Sequence, residues 1–251
     1  MKTVFITGAS SGIGEACARK FAQNGYRLIL NARREDKLLQ LALQLKQDYG
    51  TPTLILPFDV RDRDTVRDRL QSLPTDWQDI DVLVNNAGLA LGLEKEYEGD
   101  FDDWDTMIDT NIKALLTVTR FVVPEMVKRG KGHIINIGSV AGDAAYANGA
   151  VYCATKAAVK VLSDGLRIDV SDTPLRVTNI KPGLVETNFS VVRFHGDKER
   201  ADNVYKGIQP LNGNDIADCV WFAASAPEHV QIAEMLVLAT HQASGSVVYR
   251  K

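Results

Sequence analysis

The chain is poor in cysteine. Its 251 residues hold three, Cys17, Cys153 and Cys219, odd in number and far apart. That excludes a disulfide framework and fits a reducing cytoplasm. Only four histidines occur, none at metal-ligand spacing, and no residue cluster suggests a metal site. Positive charge is not in excess: 29 Lys and Arg stand against 32 Asp and Glu, for a net charge of −3. Neither nucleic acid nor a membrane surface is therefore an expected partner. No apolar run is long enough to span a bilayer, and Met1–Thr7 is too short in apolar run for a secretory signal. Linkers, internal repeats and low-complexity segments are also missing.

What is present reads as one α/β domain over residues 1–251. Apolar strand-like runs lie at Thr3–Thr7, Arg27–Asn31, Thr53–Phe58, Val82–Asn85, Ile134–Ile137, Arg176–Lys181 and Met235–Leu238. Between them lie helix-like patterns. Gly14–Gln23 turns Ala16, Ala18, Phe21 and Ala22 inward, and Glu35–Tyr49 places Leu38, Leu41, Ala42 and Leu45 on one face. Asp62–Leu73, Phe101–Arg129, Val151–Val170 and Asp215–Ser225 follow, with Pro124 expected to break or kink its helix. Continuous apolar strands alternating with helices predict a doubly wound, Rossmann-type parallel sheet of about seven strands with helices on both faces. Residues 184–214 are long and poorly periodic, as expected of a lid over an active site.

Thr7-Gly8-Ala9-Ser10-Ser11-Gly12-Ile13-Gly14 joins the first strand to the first helix. In an open α/β sheet this turn binds a dinucleotide: glycines admit the pyrophosphate and the helix N-terminus stabilises its charge. The spacing, Gly-x-x-x-Gly-x-Gly, departs from the usual Gly-x-Gly-x-x-Gly. An acidic residue commonly ends the second strand to hold a ribose 2′-hydroxyl. Here the chain reads Asn31-Ala32-Arg33-Arg34. Two guanidiniums suit a 2′-phosphate, so NADP is the expected coenzyme. The alternative is that Arg33 and Arg34 are only the basic start of a surface helix.

Ser139 follows an apolar strand, and a small-residue loop leads to a helix carrying Tyr152 and Lys156. Four residues apart, these two share a helix face. A nearby ammonium favours a phenolate, so Lys156 is expected to lower the pKa of Tyr152. Such a phenol exchanges a proton with a reacting oxygen, which Ser139 can also hydrogen-bond. This suits carbonyl–alcohol interconversion. Cys153, with no histidine near it in sequence, reads as a small filler rather than a nucleophile.

Taken in order, the glycine turn, Asp59-Val60, Asn85-Asn86-Ala87-Gly88, Asn111, Ser139, Tyr152-x-x-x-Lys156 and Pro182-Gly183 resemble the short-chain dehydrogenase/reductase superfamily along essentially the whole chain. The resemblance implies roles. Gly8, Ser10, Ser11, Gly12, Ile13 and Gly14 would hold the coenzyme phosphates. Asp59 and Val60 would contact adenine, and Asn85 and Gly88, with Ala87 between them, would line the adenosine side and brace the sheet. Asn111 would hold a kink in the long helix and a water joining Lys156 to solvent. Lys156 would bind the nicotinamide ribose, and Val185 and Thr187, after Pro182 and Gly183, the carboxamide. A homotetramer is implied, packed through the Phe101–Arg129 and Val151–Val170 helices.

Pro182–Asp197, with Ala217-x-x-Val220-Trp221, is similar to the NADP-dependent 3-hydroxy acid dehydrogenases, which include serine and allo-threonine dehydrogenases. That resemblance implies a cytoplasmic enzyme interconverting a 3-hydroxy acid and its 3-oxo acid. Substrate would lie at Ser139 and Tyr152. Arg193 is a candidate for its carboxylate, the alternative being an exposed lid charge. Leu184, Phe189 and Phe194 either close over the nicotinamide or only pack the lid. Two further readings stay open: a reductase of other ketones or aldehydes, and a nucleotide sensor without catalysis. The sensor would not need Ser139, Tyr152, Lys156 and Asn111 together.

Overall fold

Strand β1 (Thr3–Thr7) is buried at every residue, which is why its apolar run does not alternate with polar residues. Val4 and Ile6 face one core and Phe5 the other. In the computed structural model, which describes residues 1–251, β1 is the third strand of a seven-stranded sheet in the order β3-β2-β1-β4-β5-β6-β7. The other strands are β2 (Arg27–Ala32), β3 (Thr53–Pro57), β4 (Val82–Asn85), β5 (His133–Ile137), β6 (Arg176–Pro182) and β7 (Glu234–Val237). All neighbouring pairs are parallel. The Rossmann-type expectation is met.

Helices α1 (Gly12–Gln23), α2 (Glu35–Tyr49) and α9 (Gly213–Ser225) cover one face, burying Phe21, Leu38, Leu45 and Val220. On α2, Ala42 is only half-buried, against expectation, while Leu38, Leu41 and Leu45 form the buried stripe. Helices α3 (Arg63–Gln71), α5 (Leu115–Arg129) and the end of α6 (Ala150–Asp169) cover the other, with Val66, Val118 and Met126 in that core. Asp62 caps α3 by accepting from the Thr65 amide at 3.1 Å. No helix is long and apolar enough to cross a membrane.

Helix α4 (Phe101–Ile108) continues into α5 through a π-helical turn, Asp109–Ala114. Pro124 does not break the helix, since α5 runs through it. The irregularity lies instead at the widened turn that carries Asn111. Such turns are common beside functional sites because they insert one residue without ending the helix. Residues 184–214 form two short helices, α7 (Phe189–Arg193) and α8 (Lys198–Asn203), and Val185 bridges back to Leu211. The order of the strands reverses direction between β1 and β4, so a crevice opens beyond their carboxyl ends.

Candidate active site

That crevice is a cavity of about 620 Å³. The glycine turn forms one end. Gly8 (φ +65) and Gly12 (φ +58) adopt left-handed backbone that glycine tolerates. A Cβ on Gly14 would come within 2.4 Å of the Gly8 carbonyl oxygen and 2.5 Å of Asn86 Nδ2. Gly14 therefore stands behind the cavity wall and lets α1 approach the sheet. Gly8, Ser10, Ser11, Gly12 and Ile13 do line the cavity. No side chain caps the N-terminus of α1, which leaves its first N–H groups open to the crevice.

At the end of β2, Asn31 turns inward and donates to the Leu56 and Phe58 carbonyls at 2.9 and 3.0 Å. Arg33 and Arg34 are exposed at the rim and both line the cavity. Arg34 Nη2 lies 3.1 Å from Ser10 Oγ and 3.4 Å from Ser11 Oγ. One guanidinium and two hydroxyls thus converge, and no acidic residue of β2 opposes them. Asp59 and Val60 line the same end. Burial opposes charge on Asp59, but Arg61, donating at 2.7 Å through Nη2, prevails and holds the carboxyl below its ordinary value.

Ala87 and Gly88 also line the cavity, whereas Asn85 does not. Asn85 is buried in the sheet and donates to Asn136 Oδ1 at 2.9 Å and Thr119 Oγ1 at 3.1 Å, bracing β4 against β5 and α5. Asn111 is likewise behind the wall. Its amide accepts from the Leu89 N–H at 2.9 Å and donates to the Leu89 carbonyl at 2.8 Å and Thr155 Oγ1 at 3.0 Å. It ties the π-helical turn to the stretch after β4 and to α6.

At the other end stand Ser139, Tyr152 and Lys156, all buried. Ser139 is extended (φ −172, ψ 155), and its hydroxyl accepts from the Ala141 N–H at 3.1 Å. The turn that follows packs on α6, because Gly142 lacks the Cβ that would meet the Lys156 carbonyl at 2.6 Å. Lys156 Nζ donates to the Ile137 carbonyl at 2.9 Å and is 6.0 Å from the centre of the Tyr152 ring. Burial brings its pKa down to about 8.

The expected acidification of Tyr152 by Lys156 is corrected here. Burial holds the phenol well above its ordinary value, and the Tyr146 phenol adds to that. Ser139 and Arg193 pull downward; Lys156, aimed at Ile137 and itself desolvated, does not. Cys153 is buried, and burial pushes its thiol up, in keeping with a filler.

Pro182, Gly183, Leu184, Val185 and Thr187 complete the wall after β6. Phe189 meets Tyr152 edge-on at 5.8 Å. Phe194 is buried and lines the cavity, with Arg200 stacked 4.5 Å over its ring. Arg193 is not an exposed charge: it is half-buried, 5.8 Å from the Tyr152 ring centre. His133 is buried on β5, away from the cavity, and His195 pairs with Asp103 at 3.0 Å on the surface.

Among the wall residues that escaped sequence reasoning are Arg61, Tyr146, Tyr205 and Gln242. Tyr205 donates to the Val185 carbonyl at 2.9 Å, and Gln242 Oε1 accepts from the Leu184 N–H at 2.8 Å. Tyr146 had a signal, as the one aromatic in the small-residue loop before α6. Gln242 had none, since its place depends on how the segment after β7 folds back on its own chain.

A buried tyrosine and lysine one helical turn apart, a serine across from them, and a glycine turn at a sheet switch point define a dinucleotide-dependent oxidoreductase site. Residues 2–197 match the short chain dehydrogenase family, and the chain belongs to it. Among its relatives is the NADP-dependent 3-hydroxy acid dehydrogenase of Schizosaccharomyces pombe, 47% identical over 251 residues, covering 100% of this chain and 97% of the relative. The NADP-dependent 3-hydroxy acid dehydrogenase YdfG of Salmonella typhimurium is 48% identical over 250 residues, covering 98% and 99%. Among solved structures, the closed form of serine dehydrogenase complexed with NADP+ superposes with a TM-score of 0.92 at 45% identity, covering 99% of this chain and 100% of that one.

Proposed function

We propose that this protein is an NADP-dependent oxidoreductase that interconverts a 3-hydroxy acid, such as serine or allo-threonine, and the corresponding 3-oxo acid. The observation that carries this reading is the meeting of Ser139, Tyr152 and Lys156 in one cavity with the glycine turn. The full-length similarity to 3-hydroxy acid dehydrogenases supports the substrate class. The cavity suits the coenzyme. The uncapped start of α1 and the close-packed glycines leave N–H groups for a pyrophosphate. Arg34, Ser10 and Ser11 suit a 2′-phosphate, with Arg33 beside them.

NADP, when bound, supplies the hydride acceptor or donor and, when oxidised, a positive ring charge. The chain's own residues do the rest. Ser139 Oγ and Tyr152 Oη hold the substrate oxygen between them. In reduction the phenol, kept protonated by burial, donates its proton to the developing alkoxide. In oxidation it must take that proton back; Ser139 and Arg193 pull toward the phenolate against burial, and Lys156 is placed to bind the nicotinamide ribose. Asn111 fixes the Leu89 backbone beside Gly88 and steadies the path between Lys156 and solvent. Asp59, Val60, Ala87 and Gly88 serve the adenosine half, with Asn85 bracing the sheet behind them, and Pro182, Gly183, Val185 and Thr187 the nicotinamide half. Residues 1–251 act as one dinucleotide-binding domain with residues 184–214 as its lid.

The protein works as a cytoplasmic homotetramer. Three free cysteines support the compartment. Exposed Leu116 and Val127 on α5 and Val161 and Ile168 on α6 support packing between subunits. Light scattering tests the tetramer.

Tyr152→Phe tests the chemistry: turnover followed at the NADPH absorbance band should fall about 10²- to 10⁴-fold with NADPH binding retained. Full turnover in that variant would overturn the assignment. A panel of L-serine, D-serine, L-allo-threonine, 3-hydroxybutyrate and simple ketones tests the substrate class; activity confined to ketones would overturn it.

A further inference from the structure

Among the cations that line the cavity, most already have work. Arg61 is paired with Asp59, Lys156 with the Ile137 carbonyl, and Arg34 with Ser10 and Ser11. Arg193 differs. It is half-buried over the reacting phenol, and no carboxylate comes within 4.0 Å of its nitrogens. The acidic groups nearby are engaged elsewhere: Asp103 with His195 at 3.0 Å, and Glu94 with the Leu93 N–H at 2.7 Å. A guanidinium has five N–H donors, and here its only protein acceptors are two neutral oxygens. Withdrawing a cation from water with so little compensation is unfavourable unless an anion completes the site.

The two neutral contacts aim the group. Arg193 Nε donates to the Gly92 carbonyl at 3.1 Å, and the Gly92 N–H donates to the Arg193 carbonyl at 3.0 Å. Arg193 Nη1 donates to Tyr146 Oη at 3.0 Å, and the guanidinium lies 5.6 Å from the Tyr146 ring centre. The Tyr146 ring can take this place only because Gly149 has no side chain, since a Cβ there would fall 2.0 Å from the ring. Nη2 has no protein partner. In a 3-hydroxy acid a single carbon separates the carboxylate from the carbon that reacts, a span that suits a guanidinium 5.8 Å from the Tyr152 ring centre.

We infer that Arg193 binds the substrate carboxylate and that Tyr146 is a positioning residue that holds Arg193 in place for it. The inference rests on the dehydrogenase reading above and adds to it the basis of selectivity for acids. Lys is not equivalent at this position, because a fork gripped on two sides still presents a third edge, whereas an ammonium is a single point of charge.

The test compares kcat/KM for 3-hydroxypropanoate with that for its amide, 3-hydroxypropanamide, using NADP+. Wild type should prefer the acid. Arg193→Gln should lower the acid-to-amide ratio by about 10- to 100-fold, the range of a lost hydrogen bond to a charged group. Tyr146→Phe should lower it by about 3- to 10-fold, and Arg193→Lys by an intermediate amount. The ratio carries the test: changes in the pull of Arg193 and Tyr146 on Tyr152, and general damage to the fold, act on both substrates and leave the ratio in place. An unchanged ratio in an Arg193→Gln protein that still binds NADPH overturns the inference. Should that variant fail to fold, unchanged ratios in both Arg193→Lys and Tyr146→Phe overturn it equally. A wild type that oxidises both compounds equally well refutes the carboxylate site and leaves the dehydrogenase reading standing. One that oxidises neither, on the full panel, refutes the parent reading.

Discussion

Lys156→Met should destroy turnover without weakening the fold at neutral pH. The ammonium is buried, and burial brings its pKa from 10.5 to about 8. That drop corresponds to about 3 kcal/mol of lost stability below about pH 8, where folded and unfolded chains are both protonated. Methionine removes this penalty and occupies similar volume. Against the gain stands the Ile137 carbonyl, which loses its 2.9 Å donor, at about 1–3 kcal/mol. The variant should therefore be between equal to wild type and about 2 kcal/mol more stable near pH 7. The sign reverses with alkali. Between pH 8 and 10.5 the unfolded chain binds a proton that the folded chain refuses, so this contribution to wild-type stability rises with pH. Lys156→Met lacks that rise. Urea denaturation of both proteins at pH 7 and pH 10, without coenzyme, reads the difference directly. Parallel pH profiles, or a variant several kcal/mol less stable at pH 7, would refute the reasoning.

Three further outcomes are expected. Gly14→Ala would drive a Cβ into the Gly8 carbonyl and Asn86, costing about 1–3 kcal/mol in stability and weakening NADPH binding together, as read by thermal melts and fluorescence titration. His133 is kept neutral by burial, with the Arg176 charge assisting, and its pKa lies at about 3. Stability should therefore fall by about 1.4 kcal/mol per pH unit as pH drops below 6.5 toward 3, and urea titrations of His133→Asn should lose that acid limb. Replacing both Arg33 and Arg34 by Ala should lower the preference for NADP over NAD by at least about tenfold, the scale of one charge-assisted hydrogen bond, in coenzyme titrations.

Much of the frame was legible before any coordinates. Apolar runs such as Val4–Ile6 and Val82–Val84 can be satisfied only where helices cover both sides of a strand. A glycine turn after the first strand, and Tyr152 and Lys156 on one helix face, depend on neighbours a few residues away, and local rules reach that far. A kink at Asn111 was implied by the family resemblance, but its form, the widened turn at Asp109–Ala114, depends on the tertiary clasp on Asn111.

Distance in sequence and distance from water set the boundary between the two. Backbone pattern, turn chemistry and helix spacing are short-range, so the alternation of strands and helices and the sharing of one helix face by Tyr152 and Lys156 lay in the chain itself. The charge state of Tyr152 did not, because desolvation depends on everything packed around the ring and outweighs a lysine one turn away. Nor did the company of Arg193. Gly92, Tyr146 and Tyr152 come from separate parts of the chain, and only the folded protein brings all three against one guanidinium.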